Sequence, residues 1–245
     1  MGISQNTKVD RTPANQPYPR AVVTGCSSGI GRAITERLLG NGWSVTGLCR
    51  SEPAIKHERL KLVQTDLSDI ASLPAICAQI TENGECVEAF VHAAGFMRTA
   101  ALGELKLEDS QAMWRVHVHA AETLANGLQP HMPDGARIVL IGSRVANGAP
   151  TRSQYAATKA ALIGMARSWA AELAPRRITV NVIAPGATDT PFLRDPARAH
   201  TQPKLPPIGR FIQVDEVAEL AAFLLGPYGG AMTGQHLVMC GGASL

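Results

Sequence analysis

The chain has 245 residues, 45% hydrophobic and 18% charged, with a formal net charge of +3. That balance excludes a chain disordered throughout, and the lack of a Lys/Arg strip argues against a nucleic-acid surface. Five cysteines (Cys26, Cys49, Cys77, Cys86 and Cys240) without a C-x-x-C pair suggest neither a disulfide framework nor a zinc site, so a reducing, cytoplasmic setting and no metal are expected.

Residues 1–18 are polar, rich in Asn, Gln and Pro, and lack periodicity, which predicts a mobile tail. They carry no apolar signal-peptide core, and no apolar run in the chain approaches the roughly 18 residues of a membrane span. No linker-like break follows, so residues 19–245 read as one domain. The run Ala21-Val-Val-Thr24 predicts a short buried strand, and Gly25-Cys-Ser-Ser-Gly29-Ile-Gly31 then leads into a helix to about Leu39. Glycines at a strand-to-helix turn let backbone approach a pyrophosphate and leave helix N-terminal N–H groups to bind it.

A second strand, Ser44–Cys49, ends at Arg50. In a dinucleotide fold this strand end faces the adenosine ribose, where a carboxylate would accept from the 2′-hydroxyl and repel a 2′-phosphate. Cys49 supplies no carboxylate, and Arg50 offers a guanidinium that can hold a phosphate, so NADP(H) is expected over NAD(H). Leu60–Gln64 predicts a third strand, followed by Asp66-Leu-Ser-Asp69, in which Ser68 or Asp69 would cap a helix. Ala89–His92 predicts a fourth strand that gives way to Ala93-Ala94-Gly95, and a helix is expected over roughly 110–129.

Arg137–Gly142 reads as a buried strand ending at Ser143, and helical periodicity runs from Gln154 to Leu173. On that helix Tyr155 and Lys159 stand one turn apart on one face. A tyrosine titrates near pH 10, so working as a base near neutrality needs about 4 kcal/mol of help. A cation about 4 Å away supplies energy of that order. Ser143 could then hold a substrate oxygen against the phenol.

Ser143, twelve residues before Tyr155-x-x-x-Lys159, and the Thr24-Gly25-x-x-x-Gly29-x-Gly31 turn resemble the short-chain dehydrogenase/reductase family over residues 20–243. The resemblance implies catalytic roles for Ser143, Tyr155 and Lys159, and places Thr24, Gly25, Gly29, Ile30 and Gly31 at the cofactor, with Ser27 and Ser28 near its phosphates. It puts Asp66 and Leu67 beside adenine and Ala94 and Gly95 beside a ribose. After a sixth strand, Ile178–Ile183, the segment Ala184-Pro185-Gly186-Ala187-Thr188-Asp189-Thr190 resembles the family's Pro-Gly-x-x-x-Thr turn, which implies nicotinamide contact at Thr188 and a phosphate contact at Thr190. Two departures stand out. His92 and Ala93 replace the family's asparagines, and His117 stands where a catalytic asparagine is usual; a neutral imidazole could hold a relay water, a charged one would repel Lys159, and a packed ring is the plain alternative.

Proline-rich residues 191–208 suggest an irregular lid over the site, followed by a helix over Val214–Leu225 and a final strand within Met232–Cys240. The strand–helix alternation predicts an α/β fold, a Rossmann-like doubly wound parallel sheet. Arg144 and Arg152 could pair with a carboxylate or phosphate, which points to a small hydroxy or oxo acid or an acyl substrate. The expected activity interconverts a secondary alcohol and a carbonyl by hydride transfer. An epimerase or dehydratase and a non-catalytic NADP(H)-binding regulator are the alternatives. The family resemblance also implies a homotetramer or homodimer, through helices near 110–129 and 154–173.

Overall fold

The computed structural model describes residues 18–82, 84–194 and 204–245. The expected tail, save Tyr18, and the middle of the expected lid, residues 195–203, lie outside the described residues. Seven strands form one parallel sheet in the order β3-β2-β1-β4-β5-β6-β7. They are β1 (Arg20–Thr24), β2 (Ser44–Cys49), β3 (Leu60–Gln64), β4 (Ala89–His92), β5 (Arg137–Ile141), β6 (Thr179–Pro185) and β7 (His236–Met239). The four central strands β1, β4, β5 and β6 are buried along their whole length. Their continuous apolar runs follow from having helices on both faces.

One face is covered by α1 (Gly29–Gly40) and α6 (Val214–Leu225), whose Ile34, Leu38, Val217 and Leu224 pack on Val23, Val91 and Val139. The other face carries α2 (Leu73–Ile80), α4 (Ala120–Leu128) and α5 (Ser153–Leu173), packed on Val22, Phe90, Ile138 and Val180. The chain builds β1 to β3 outward on one side and then returns to lay β4 against β1. The crevice at that reversal, beyond the strand C-termini, is where this architecture places ligands.

Several boundaries differ from the sequence expectation. The helix expected over 110–129 is three pieces: α3 (Leu107–Trp114), a π-helical turn over Arg115–His119, and α4. The sixth strand runs two residues beyond Ile183 because Ala184 and Pro185 continue to pair with β7. Neither Ser68 nor Asp69 makes a capping bond: a short 3-10 turn over Ile70–Ser72 comes first, and the Asp66 carboxylate instead accepts from Ser68 N–H (2.9 Å) and Ser68 Oγ–H (2.8 Å).

The Gly-rich turn is fixed against β2 by close packing. Cys26 Sγ fills the space beside Gly47, where a Cβ would lie 2.5 Å from that sulfur. Gly47→Ala is therefore expected to destabilise the fold by about 1–3 kcal/mol in denaturant unfolding. Adding Cys26→Ala, which vacates the space, recovers most of the loss; a double mutant no more stable than Gly47→Ala contradicts this packing account.

Candidate active site

A cleft of about 1350 Å³ runs along the sheet's C-terminal edge and is lined by Gly25, Ser27 to Gly31, Arg50, Asp66, Leu67, Ala94, Gly95, Ser143, Tyr155, Lys159, Pro185, Gly186, Thr188 and Thr190. The cofactor-side positions named from sequence thus reach one cavity, as do Ser143, Tyr155 and Lys159, except Thr24, which is fully buried behind the Gly-rich turn. Its volume exceeds that of an ordinary small-ligand pocket, roughly 300–1,000 Å³.

At the Gly-rich turn, Gly25 has a positive φ of 71°, and a Cβ there would lie 2.9 Å from the backbone of Ala94. A Cβ on Gly31 would fall 2.3 Å from the Gly25 carbonyl oxygen. Both glycines are therefore required by close backbone approach, not merely tolerated. Ser28 occupies the N-cap of α1 without a side-chain capping bond, and the first turn carries no acidic residue. The helix thus presents N–H groups and its positive end to the cleft with no carboxylate to oppose an anion. Thr190 lies against this turn, its methyl 3.4 Å from where a Gly29 Cβ would be, while its hydroxyl accepts from Leu193 N–H (3.3 Å). Thr188 is held by a bridge to Ile212 and donates to the Gly186 carbonyl at 3.2 Å.

The adenosine end is open. Cys49 is buried with its thiol donating to Ser51 O (3.1 Å), and Arg50 is exposed, its carbonyl accepting from Gln64 Nε2 (3.0 Å). The bonds from Ser68 hold the Asp66 carboxyl below its usual range, with the Arg50 charge a smaller contribution.

Ser143, two residues beyond β5, is the N-cap of a 3-10 turn, with Oγ accepting from Val145 N–H at 3.2 Å. Tyr155 and Lys159 sit on the buried face of α5, with Nζ 5.8 Å from the phenol ring centroid. Nζ donates to the Ile141 carbonyl at 2.8 Å, which anchors the lysine to the end of β5 beside Ser143. Burial pulls the Lys159 pKa from 10.5 down to about 7. The sequence reading took this residue as a standing ammonium; in the fold its charge is present below pH 7 and is lost above it. The site therefore holds a titrating cation.

His117 lies on the π turn, fully buried, with its ring 5.7 Å from that of Tyr155 and edge-on to it. Its Nε2 accepts from Phe96 N–H (3.0 Å) and Nδ1 pairs with Thr158 Oγ1 (2.8 Å). Burial and then the Lys159 charge hold it well below the usual histidine range. It is neutral, as the relay reading requires, but both ring nitrogens are engaged by protein, so no nitrogen is left for a relay water. The ring packs edge-on against Phe96 and Tyr155 and anchors the turn that carries it. His92, which sequence gave no role, is also fully buried, and burial pushes it down to about 3.

On the substrate side, Arg144 lines the cleft and donates to the Ala243 carbonyl at 3.3 Å, so part of its donor capacity holds the C-terminal segment. Arg152 is half-buried at the wall and forms the N-cap of α5. Arg98 and Lys204 also reach the cleft, two cations that sequence spacing did not reveal because both lie on irregular segments. No group of His, Cys, Asp and Glu among the described residues could hold a metal ion.

Over residues 25–244 the chain matches the family described as enoyl-(acyl carrier protein) reductase. A solved short-chain dehydrogenase from Burkholderia cenocepacia J2315, in complex with NADP, is 35% identical, superposes with a TM-score of 0.83 and covers 93% of this chain and 98% of its own. The chain belongs to the short-chain dehydrogenase/reductase family. As a member it is an oxidoreductase of the alcohol/carbonyl class. The 3-oxoacyl-[acyl-carrier-protein] reductase of Salmonella typhimurium is 35% identical over 235 residues, 91% of this chain and 96% of that one. The Escherichia coli K12 enzyme of the same name matches with the same identity and coverage. A metagenomic blue fluorescent protein in complex with NADPH is 30% identical, with a TM-score of 0.82 and coverage of 93% and 98%.

Lys159 makes the site costly to the fold. Its pKa is about 7 folded against 10.5 for the free side chain, so between those values the unfolded chain binds more protons and stability rises with pH. The full cost, on the order of 5 kcal/mol, is felt below pH 7. Lys159→Met is expected to raise the melting temperature, by more at pH 6 than at pH 9.5, while abolishing activity; an equal gain at both values contradicts the burial argument.

Proposed function

We propose that this chain is an NADPH-dependent reductase of 3-oxoacyl substrates, converting the 3-oxo group to a secondary alcohol. The observation that carries the reading is Ser143, Tyr155 and Lys159 converging in the cleft that the Gly25–Gly31 turn opens. The names of the relatives at 35% identity support the acyl class.

The residues present fit a phosphorylated dinucleotide: backbone at Gly25 and Gly31 that a Cβ would block, an α1 N-terminus without acid, and a β2 end carrying Arg50 in place of a carboxylate. Gly25, Ser27, Ser28, Gly29, Ile30, Gly31 and Thr190 would hold the pyrophosphate, Arg50 the 2′-phosphate, Asp66 and Leu67 the adenine, and Ala94, Gly95, Pro185, Gly186 and Thr188 the nicotinamide half. When bound, NADPH supplies the hydride. The Ser143 hydroxyl donates to the substrate carbonyl oxygen and fixes its place. The Tyr155 hydroxyl gives its proton to that oxygen as negative charge develops there. The phenolate so formed is stabilised by the Lys159 ammonium, which is partly shielded from water and therefore strong. His117 holds the Tyr155 turn from beneath. Arg152 would pair with an anionic group of the substrate, a carboxylate or a phosphate. The small exposed residues of α5, Ala157, Ala160, Gly164 and Ala171, suit close association with further copies of the chain, and the reading is of a cytoplasmic enzyme with five free thiols.

Four measurements test this reading. Tyr155→Phe is expected to lower kcat for NADPH-dependent reduction of a 3-oxoacyl thioester by at least about 10³-fold with NADPH binding retained, and wild-type protein that reduces no such thioester refutes the proposal. Because the ammonium stabilises the phenolate, reductive kcat/KM is expected to fall as pH rises through about 7, whereas a rise there contradicts the assigned direction of proton transfer. Arg152→Ala should raise KM for acidic substrates and leave neutral ketones unaffected; equal losses for both mean that Arg152 is structural. Arg50→Ala should narrow the preference for NADPH over NADH by about tenfold.

A further inference from the structure

Two fully buried histidines, His92 and His117, meet at the π turn beside Lys159, and their hydrogen bonds fix where each proton sits. Thr24 Oγ1 accepts from the N–H groups of Ala93 (3.0 Å) and Ala94 (3.1 Å). Its own proton therefore goes to its remaining partner, His92 Nδ1, at 3.1 Å. With Nδ1 accepting, Nε2 carries the ring proton and donates it to the Val116 carbonyl at 3.0 Å. His117 is the reverse. Its Nε2 accepts from Phe96 N–H, so Nδ1 carries the proton and donates to Thr158 Oγ1. The Thr158 hydroxyl passes its own proton to the Tyr155 carbonyl at 2.8 Å.

The π turn explains why His92 is needed. In a regular helix the Val116 carbonyl would accept from Ala120 N–H, but that N–H bonds Arg115 O, five residues back. The Val116 carbonyl is thereby released and turned to the histidine, where a buried acceptor without a donor would be costly. His92 thus ties the end of β1, through Thr24, to the turn that carries His117, and His117 ties that turn to the carbonyl of Tyr155. Gly95 completes the contact: a Cβ there would lie 3.0 Å from His117 Nε2 and 3.5 Å from Lys159 Nζ. Backbone of Ala93 and Ala94, which this network holds, lines the cleft.

We propose that His92 is a positioning residue for both halves of the site, and that His92 and His117 work as a pair of neutral imidazoles in opposite tautomers, Nε2–H and Nδ1–H, joining the Gly-rich turn to the tyrosine-bearing helix. The functional half of this proposal rests on the reductase reading; the tautomers do not.

The test begins with histidine-selective ¹⁵N-labelled wild-type protein without cofactor at pH 7, with signals assigned by their loss in His92→Phe and His117→Phe. One Nε2–H and one Nδ1–H imidazole are expected for these two residues; the same tautomer in both, or an imidazolium in either, overturns the pairing. Should the Phe variants not fold, His92→Gln and His117→Gln serve for assignment. His92→Phe keeps the ring but loses both bonds, and should weaken NADPH binding by about tenfold and lower kcat by a further tenfold or more. His92→Gln, whose amide can reach Val116 O, should recover most of kcat, whereas the shorter His92→Asn should not. A Phe variant within about twofold of wild type in both constants, or Gln recovering no better than Asn, overturns the positioning role. NADPH binding by fluorescence needs no substrate. If wild type reduces no 3-oxoacyl thioester, yet the tautomers are opposite and His92→Phe still weakens NADPH binding, the reaction assignment fails while the positioning of the cofactor half stands.

Discussion

The Thr24 hydroxyl, at the end of β1, is the interaction on which the rest of the site depends. It accepts two backbone N–H groups from the end of β4 and so closes the two strands at which the sheet's connectivity reverses. That closure brings Gly25 so near Ala94 that a side chain at Gly25 has no room. The Gly-rich turn and the end of β4 are therefore placed by one local arrangement. Doubly wound sheets supply such a crevice generally, and here one hydroxyl oxygen bonds the chain leaving β4 to the end of β1.

Electrostatics at the site run against stability. Burial disfavours the charged form of Lys159, and its neighbours do little to offset this: His92 and His117 are neutral, and its hydrogen bond is to a backbone carbonyl. A carboxylate at this place would have stabilised the fold, yet it would also have neutralised the cation that a phenolate needs. The protein keeps the charge and accepts the cost, as sites built for chemistry commonly do.

What could be read from sequence was local. The strand, Gly-rich turn and helix at residues 20–40 and the Tyr155/Lys159 pair show themselves through spacing alone, because their geometry lies within one or two turns of chain. The strands β1, β4, β5 and β6 were also legible, since a strand buried on both faces is a plain apolar run. The depressed Lys159 pKa could not be foreseen, because it depends on what the sheet and α5 lay over the side chain. His92 stood out only as a departure from the family's asparagine, and its bonds were hidden for a related reason: its partners are 68 residues upstream and 24 downstream. The π turn was invisible because Arg115–His119 has ordinary helical composition, and only the released Val116 carbonyl marks it. The misplaced cap at Ser68 and Asp69 reflects a short side chain, Asp66, preferring its own local turn.

Arg144 directly follows the serine of the site and grips the Ala243 carbonyl, while Gly241 and Gly242 seat against Pro206, Pro207 and Ile208 with no space for side chains. The final turn of the chain is thus part of the cleft wall and is mechanically tied to the residue next to Ser143. Evolution can exchange this rim, residues 204–208 and 240–245, without touching the hydride and proton chemistry beneath it. Substrate choice and reactivity are then inherited separately, which would let closely similar chemical centres serve very different molecules across related lineages.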